Sequence, residues 1–159
     1  MTKFTVKDLT LNAIFGSIYF VFVIIFQFLS FDYIQFRIAE ILLIFVLFNP
    51  KIIPGLVLGT FLANLTSPFG IIDALVGTLA SIVAIIFMVI FKKIPLLALI
   101  FPALSNGLIV GAMITYFSET PFIINAGLVF LGEFAVMYLL GLPLYYYFKK
   151  NNDLLELVI

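Results

Sequence analysis

The placement of lysine constrains the fold of this chain more than any other feature of its sequence. Seven of the eight basic residues are lysines that interrupt a sequence that is otherwise 65% hydrophobic. They stand at Lys3, Lys7, Lys51, Lys92, Lys93, Lys149 and Lys150. The apolar stretches between them indicate six membrane crossings. With a cytoplasmic N-terminus, every lysine falls at a cytoplasmic end of a crossing, and Arg37 falls on the far side. The sequence therefore predicts a polytopic membrane protein with both ends in the cytoplasm.

The predicted fold is all-α, a single domain over residues 1–159 that forms a bundle of six transmembrane helices. The six spans cover about residues 9–29, 34–48, 52–66, 71–91, 95–117 and 121–148. The second and third are short, because fifteen residues make only about 23 Å of helix against a hydrocarbon core of about 30 Å. A re-entrant pair is the alternative. It would leave Lys51 at membrane depth, at a cost of about 2.5–3.5 kcal/mol, so we favour two full crossings.

Composition excludes several classes of function. The net charge is zero, which argues against a nucleic-acid partner, and the chain has neither cysteine nor histidine. Disulfides, zinc sites and the usual Ser-His or Cys-His pairs are thereby excluded. No segment reads G-x-x-x-x-G-K-[ST], the loop that binds nucleotide phosphates. We therefore predict no catalytic residue, no metal site and no cofactor, and a multi-pass protein of the cell membrane that is not an enzyme.

Small residues recur four positions apart in several spans, a spacing that lets membrane helices approach closely. For the third, fourth and fifth spans the prediction is internal packing, through Gly55, Gly59 and Ala63, through Gly77 and Ser81, and through Gly107 and Gly111. In the first span, Ala13 and Ser17 have the same spacing. There, contact with a partner protein competes with internal packing.

Six polar residues lie in segments that are otherwise apolar, where a charge is costly and rarely incidental. They are Arg37, Glu40, Asn64, Asp73, Asn106 and Glu133. Counted from the outer turns at about 1.5 Å per residue, Glu40 lies about 10 Å deep and Glu133 about 18 Å deep. We expect all six to converge in the outer half of the bundle and to form a pocket that opens to the outside.

Each of the six also has a structural interpretation. Arg37 and Glu40 are three residues apart and can neutralise each other. Asp73 can favour the positive end of its own helix, and the two asparagines can join helices by hydrogen bonds. Glu133 has no basic residue within reach along its helix. It is therefore protonated, paired with Arg37 across the bundle, or used for a cationic or donor-rich ligand.

An ordered set of segments resembles the queuosine precursor transporter family. The set comprises residues 34–40, Phe48-Asn49-Pro50, Ile53-Pro54-Gly55, residues 62–65, residues 67–73, residues 77–81, residues 106–111 and Gly132-Glu133. Members of that family are substrate-binding S components of energy-coupling factor (ECF) transporters.

The resemblance implies a six-helix bundle that captures a deazaguanine, either queuine or an aminomethyl precursor. It also implies a transmembrane coupling subunit and two ATPase subunits as partners. Such S components dock through small residues of the first helix, typically Ala-x-x-x-Ala, and Ala13 and Ser17 occupy that spacing here. The serine departs from the pattern.

The interpretation that we adopt is a solute-binding membrane subunit of an uptake transporter, in contact with the lipid bilayer. Two alternatives stay open. One is a structural or regulatory membrane subunit whose buried charges only pair with one another. The other is an ion-coupled carrier that uses Glu40 or Glu133 as a proton site.

Overall fold

The computed structural model describes residues 4–32 and 34–159, and all regular secondary structure in those ranges is helical. The α-helices are α1 (Val6–Ile25), α2 (Gln27–Ser30), α3 (Ile53–Asn64), α4 (Ile71–Ile90), α5 (Pro95–Ala98), α6 (Phe101–Phe117), α7 (Phe122–Ala135), α8 (Leu142–Lys150) and α9 (Asn152–Val158). Two 3₁₀ segments, Ile38–Leu47 and Pro50–Ile52, and a π-helical segment, Val136–Gly141, complete the order. Lys3 of the lysine pattern lies outside the described residues.

Four helical stretches are long and apolar enough to cross a membrane: Val6–Ile25, Ile71–Ile90, Pro95–Phe117 and Phe122–Lys150. They correspond to the predicted first, fourth, fifth and sixth spans. The prediction of an all-helical membrane protein is confirmed. The count of six crossings and the orientation stay predictions, because the second and third spans are shorter than the other four.

The second predicted span is not an α-helix. Residues Ile38–Leu47 form a 3₁₀ helix, which rises about 2.0 Å per residue against about 1.5 Å for an α-helix. Ten residues therefore cover about 20 Å and not about 15 Å. The segment lies at the centre of the core, where Leu43, Ile44 and Val46 have no exposed surface. Ile38, Ile41 and Leu47 are partly exposed, and the other residues of the segment, Glu40 included, are buried.

The chain from Phe36 to Lys51, which contains the 3₁₀ segment, extends along α1 from one end to the other. At one end, the Phe36 amide donates to the Leu29 carbonyl at 3.0 Å, close to the C-terminal end of α1. At the other end, Lys51 Nζ lies 2.9 Å from Asp8 Oδ2, in the first turn of α1. Asp8 also forms a capping box with Thr5. Lys51 therefore lies at the same end of the bundle as the start of α1. Two full crossings require the chain to reach that end between the second and the third span.

Glycines bring neighbouring helices into close contact. A Cβ added to Gly16 of α1 would lie 2.6 Å from the Gly55 carbonyl oxygen of α3, and one at Gly59 would lie 2.9 Å from the Gly16 Cα. A Cβ at Gly111 of α6 would lie 2.7 Å from the Ala126 Cα of α7. The predicted internal packing of the small residues in the third and fifth spans is therefore confirmed.

The last predicted span is interrupted. Between α7 and α8 the chain widens into the π-helical segment Val136–Gly141, and Pro143 follows in the first turn of α8. Proline has no amide hydrogen and its ring crowds the preceding turn, so a local widening of this kind has an identifiable cause. The π segment packs against the 3₁₀ segment, and it begins three residues after Glu133.

Candidate functional site

Arg37 is the centre of a buried polar cluster. Its side chain is 2% exposed. Nη2 lies 3.6 Å from Asp73 Oδ1 on α4, and Nε lies 3.9 Å from Glu133 Oε1 on α7. Nε also donates to Gln35 Oε1 at 3.2 Å. One guanidinium therefore joins the segment before the 3₁₀ helix to two other helices.

Glu40 accepts hydrogen bonds from hydroxyl groups, whereas Arg37 forms its ion pairs with Asp73 and Glu133. Its Oε1 accepts a hydrogen bond from the Tyr19 hydroxyl at 2.7 Å and another from Ser81 Oγ at 3.2 Å. Arg37 and Glu40 lie on one edge of the 3₁₀ segment, because residues three apart are eclipsed in that helix. Even so, the ion-pair contacts of Arg37 within 4.0 Å are with Asp73 and Glu133. The interpretation that Arg37 and Glu40 simply neutralise each other does not describe this arrangement.

A tight turn places Asn64 next to Asp73. The Gly70 amide donates to the Ser67 carbonyl at 2.9 Å, and Gly70 has a φ of 53°, a conformation that glycine adopts readily. The chain thus leaves α3 just after Asn64 and enters α4 with Asp73 in its first turn. A Cβ at Gly77 would lie 2.6 Å from Asn64 Nδ2 and 2.8 Å from Asp73 Oδ1. Both polar atoms therefore border the same space beside Gly77.

A second close approach aligns Glu133 with Arg37. A Cβ added to Gly132 would lie 2.7 Å from the carbonyl carbon of Gln35. The absence of a side chain at Gly132 lets the backbone before the 3₁₀ segment lie directly against α7. Glu133 is the next residue of α7, so this contact determines how far its carboxylate lies from the guanidinium.

Many polar atoms of this cluster have no hydrogen-bond partner among the described residues, although none is exposed. Asn106, for example, donates from Nδ2 to the Pro102 carbonyl of its own helix at 3.1 Å, but its Oδ1 has no such partner. The set comprises Arg37 Nη1 and Nη2, Glu40 Oε2, Asn64 Nδ2, Asp73 Oδ1, Thr78 Oγ1, Asn106 Oδ1 and both carboxylate oxygens of Glu133. Buried polar groups are otherwise almost always satisfied.

A cleft of about 250 Å³ lies next to this cluster, at the end of the bundle opposite Lys51 and Asp8. Gln35 lines the cleft and also accepts the hydrogen bond from Arg37 Nε. Phe31 lines it as well, and its ring centroid lies 6.0 Å from the Arg37 guanidinium carbon. With Phe69 on the wall, the cleft offers aromatic surfaces above a polar floor. Flat aromatic ligands favour such surfaces.

The six residues singled out from the sequence are all buried, between 0% and 2% exposed. The structure joins Arg37, Asp73 and Glu133 by ion pairs and places Asn64 beside Asp73. It links Glu40 instead to Tyr19 and Ser81, and ties Asn106 to its own helix. Whether these residues bind a ligand stays a prediction.

Sequence reasoning misses three side chains of this arrangement. It assigns Ser81 to helix packing, and it does not single out Gln35 as a site residue, although Gln35 is polar and lies two positions before Arg37. The third is Tyr19. Its hydroxyl contact with Glu40 depends on how α1 packs against the 3₁₀ segment, which no local pattern reports.

The predicted docking residues lie on the surface. Ala13 and Ser17 are exposed on α1, and they line a groove of about 380 Å³ between α1 and α3. The glycines that bring the two helices together form its floor, and Leu58 and Leu62 of α3 form its far side. On the α1 side the groove is lined by small residues at Ala13, Gly16 and Ser17, and by the larger Phe20 and Val21 toward one end.

A model of a family described as QueT transporter matches residues 9–150 of this chain. No match was found among curated proteins or among solved structures. The matched region begins in the first turns of α1 and ends with α8, so it contains every residue of the buried cluster.

Proposed function

This chain belongs to the QueT transporter family, and on that premise we propose that it is the substrate-binding S component of an ECF-type, ATP-dependent uptake transporter in the cell membrane. It would capture a queuosine precursor, a deazaguanine such as queuine or its aminomethyl precursor, from outside. Membership makes the protein a transporter rather than an enzyme. The substrate and the energy source belong to the proposal.

The observation that carries the proposal is the set of buried polar atoms without a protein partner. Leaving one such group unpaired costs about 1–3 kcal/mol, and the cost is higher for a charged group. A cluster of them beside a cleft is hard to explain by folding alone. A ligand that is rich in donors and acceptors would satisfy them together. A deazaguanine has that character, with adjacent N–H donors, a carbonyl acceptor and a flat ring.

The chemistry of each side chain suggests its role. A carboxylate accepts two adjacent N–H donors at once, and both Glu133 oxygens lack a described partner, so we assign Glu133 to the guanine-like edge. Glu40 is the alternate for that edge or the partner of an aminomethyl cation. Asn64 and Asn106 can serve the remaining polar edges. Arg37 and Asp73 complete the site by holding Glu133 in place.

The energy source is proposed to lie in partner subunits. The chain lacks the phosphate-binding loop, so uptake against a gradient would need a transmembrane coupling subunit and two ATPase subunits. Ala13 and Ser17, on the exposed side of the groove between α1 and α3, support docking through α1. The same proposal includes six crossings with both termini in the cytoplasm. Contacts between Lys51 and Asp8 at one end of the bundle support that topology.

Two alternatives make different predictions. A structural or regulatory subunit would use Arg37, Asp73 and Glu133 only to hold helices together. An ion-coupled carrier would use Glu40 or Glu133 as a proton site and would transport alone. The first predicts no ligand binding, and the second predicts uptake by the isolated chain in a proton gradient.

Thermal unfolding of the purified protein in detergent tests the proposal. The panel would contain queuine, its aminomethyl precursor, guanine and unrelated vitamins. A ligand that binds only the folded protein adds about 2.7 kcal/mol at 100 times its dissociation constant, so a deazaguanine should raise the melting temperature in a dose-dependent way. Unrelated vitamins should not. If no deazapurine shifts the transition, the assigned substrate class is wrong.

A further inference from the structure

The buried cluster carries more acidic than basic groups. Glu40, Asp73 and Glu133 provide three carboxyl groups, Arg37 provides one guanidinium, and each side chain is at most 2% exposed. Fully ionised, these four groups would have a net charge of −2, which is one positive against three negative. Burying uncompensated charge is costly, so a cluster of this composition has to acquire positive charge from elsewhere.

No other described basic residue contacts the cluster. Lys51 pairs with Asp8 at the far end of α1, and Lys7 Nζ donates to the Ile159 carbonyl at the same end. The remaining groups that face the carboxyl groups are neutral. They are Tyr19 of α1, Ser81 of α4 and Asn64 of α3, and the cleft above adds the acidic Asp32. The missing positive charge has to come from protons or from a ligand.

The carboxylate oxygens offer acceptors suited to an ammonium group. Glu40 Oε2, Asp73 Oδ1 and both oxygens of Glu133 have no hydrogen-bond partner among the described residues, and an ammonium group provides three donors. A metal ion fits less well. Within residues 4–32 and 34–159, no three His, Cys, Asp or Glu side chains are arranged to hold one.

We propose that this site exchanges a proton for a cation: in the ligand-free protein at least one of Glu40 and Glu133 holds a proton, and a substrate that carries an ammonium group displaces it. One proton leaves a carboxyl group for bulk water as one cation enters, so the net charge held inside the site is the same before and after binding. The proposal rests on the proposed function. It adds that the site selects the amine-bearing deazaguanine over uncharged ones, and that binding is linked to pH.

The test compares two ligands of nearly equal size, 7-aminomethyl-7-deazaguanine and its uncharged 7-hydroxymethyl counterpart. Isothermal titration calorimetry of the wild-type protein in detergent, in two buffers with different ionisation enthalpies, measures the protons released on binding. An alkyl amine stays charged between pH 6 and 8, because its pKa is near that of lysine, about 10.4. Any proton released therefore comes from the protein.

The amine should release about one proton and bind at least about tenfold more tightly than the hydroxymethyl compound, because charge-assisted hydrogen bonds are the stronger ones. Its dissociation constant should fall by up to about tenfold for each unit rise in pH while the cluster holds the proton. The hydroxymethyl compound should release no proton and show no such slope. Equal affinity of the two ligands, or tight binding of the amine without proton release, overturns the exchange and leaves the proposed function intact. Binding of neither ligand overturns both.

Substitutions in the cluster identify the carboxyl group that holds the exchanged proton. Glu40→Gln and Glu133→Gln each remove one carboxyl group from the cluster, and the number of protons that the amine releases should fall in at least one of them. Glu119→Gln is the matched control, since Glu119 is exposed beyond the end of α6. It should release the same number of protons as the wild type. Unchanged release in both cluster variants overturns the exchange.

Discussion

At the scale of single residues, Glu133 is the side chain whose environment is hardest to explain without a ligand. It has no exposed surface, and Arg37 approaches only one of its oxygens, at 3.9 Å. Asp73 lies closer to the same guanidinium, at 3.6 Å. Arg37 would therefore keep a partner if Glu133 lost its charge, so the role of Glu133 in binding can be separated from its role in folding.

Glu133→Gln should weaken deazaguanine binding at least about tenfold, or about 1.4 kcal/mol, because it places an amide donor against ligand donors. The melting temperature without ligand should change little. Titration calorimetry and thermal unfolding of the same preparation measure the two effects. Glu119→Gln, on the exposed outer turn, should leave the affinity unchanged. Unaltered affinity in Glu133→Gln would remove this residue from the site.

Gly132→Ala should destabilise the protein by about 1–3 kcal/mol, the usual cost of overpacking, because the new Cβ would lie 2.7 Å from the Gln35 carbonyl carbon. It should also weaken binding, since the displaced backbone carries Arg37. Gly127→Ala is the matched control on the same helix, because a Cβ there meets nothing within 4 Å. This variant should keep the free energy of unfolding unchanged or raise it slightly, because alanine is more favourable than glycine inside a helix. Thermal unfolding measures the stability of both variants. Equal stability of the two would contradict the close approach of Gly132 to Gln35.

At the scale of elements, α1 has two different sides. Its buried side carries Tyr19, which binds Glu40, and Gly16, which packs on α3. Its exposed side carries Ala13 and Ser17, next to the groove. A helix that contacts both the buried cluster and the surface is well placed to connect substrate binding with a partner subunit. Small residues on that surface allow close helix approach, which is how membrane helices associate.

Ala13→Leu or Ser17→Leu should leave substrate binding intact and sharply reduce ATP-dependent uptake in vesicles reconstituted with the coupling and ATPase subunits. A bulky side chain there would hold the partner helix away. Ala112→Leu, a change of the same kind on the exposed side of α6, should preserve uptake. Survival of uptake in both α1 variants places the docking surface elsewhere. Accumulation of substrate by the isolated chain would favour the ion-coupled carrier.

At the scale of the whole molecule, the two ends of the bundle differ in charge. The start of α1, Lys51 and the end of the chain meet at one end, where Lys51 pairs with Asp8 and Asn49 Nδ2 donates to the Val158 carbonyl at 2.7 Å. The cleft lies at the other end, where Phe31, Phe69 and Ser118 meet. The positive-inside rule assigns the lysine-rich end to the cytoplasm and the cleft to the outside.

The chain has no cysteine, so single introduced cysteines test this orientation directly. Cysteines at positions 68 and 119 should react with an impermeant thiol reagent in intact cells. Those at positions 51 and 92 should react only after the membrane is opened. Labelling of position 92 from outside would contradict the proposed topology, and with it an outward-facing site.

The sequence by itself determined the membrane character, the helical class and the identity of the buried polar residues. Charge is so costly among apolar residues that each polar exception stands out locally, and helix-spaced glycines indicate close packing wherever they occur. Only the tertiary structure decided which side chains these buried polar residues contact. Arg37 contacts Asp73 and Glu133 rather than its neighbour Glu40, because the close approach at Gly132 of α7 and the turn at Gly70 bring distant segments to it. The 3₁₀ form of Ile38–Leu47 is likewise a tertiary outcome. Nearly every residue of this segment is apolar, so its sequence pattern defines no single buried face and its surroundings decide how it winds.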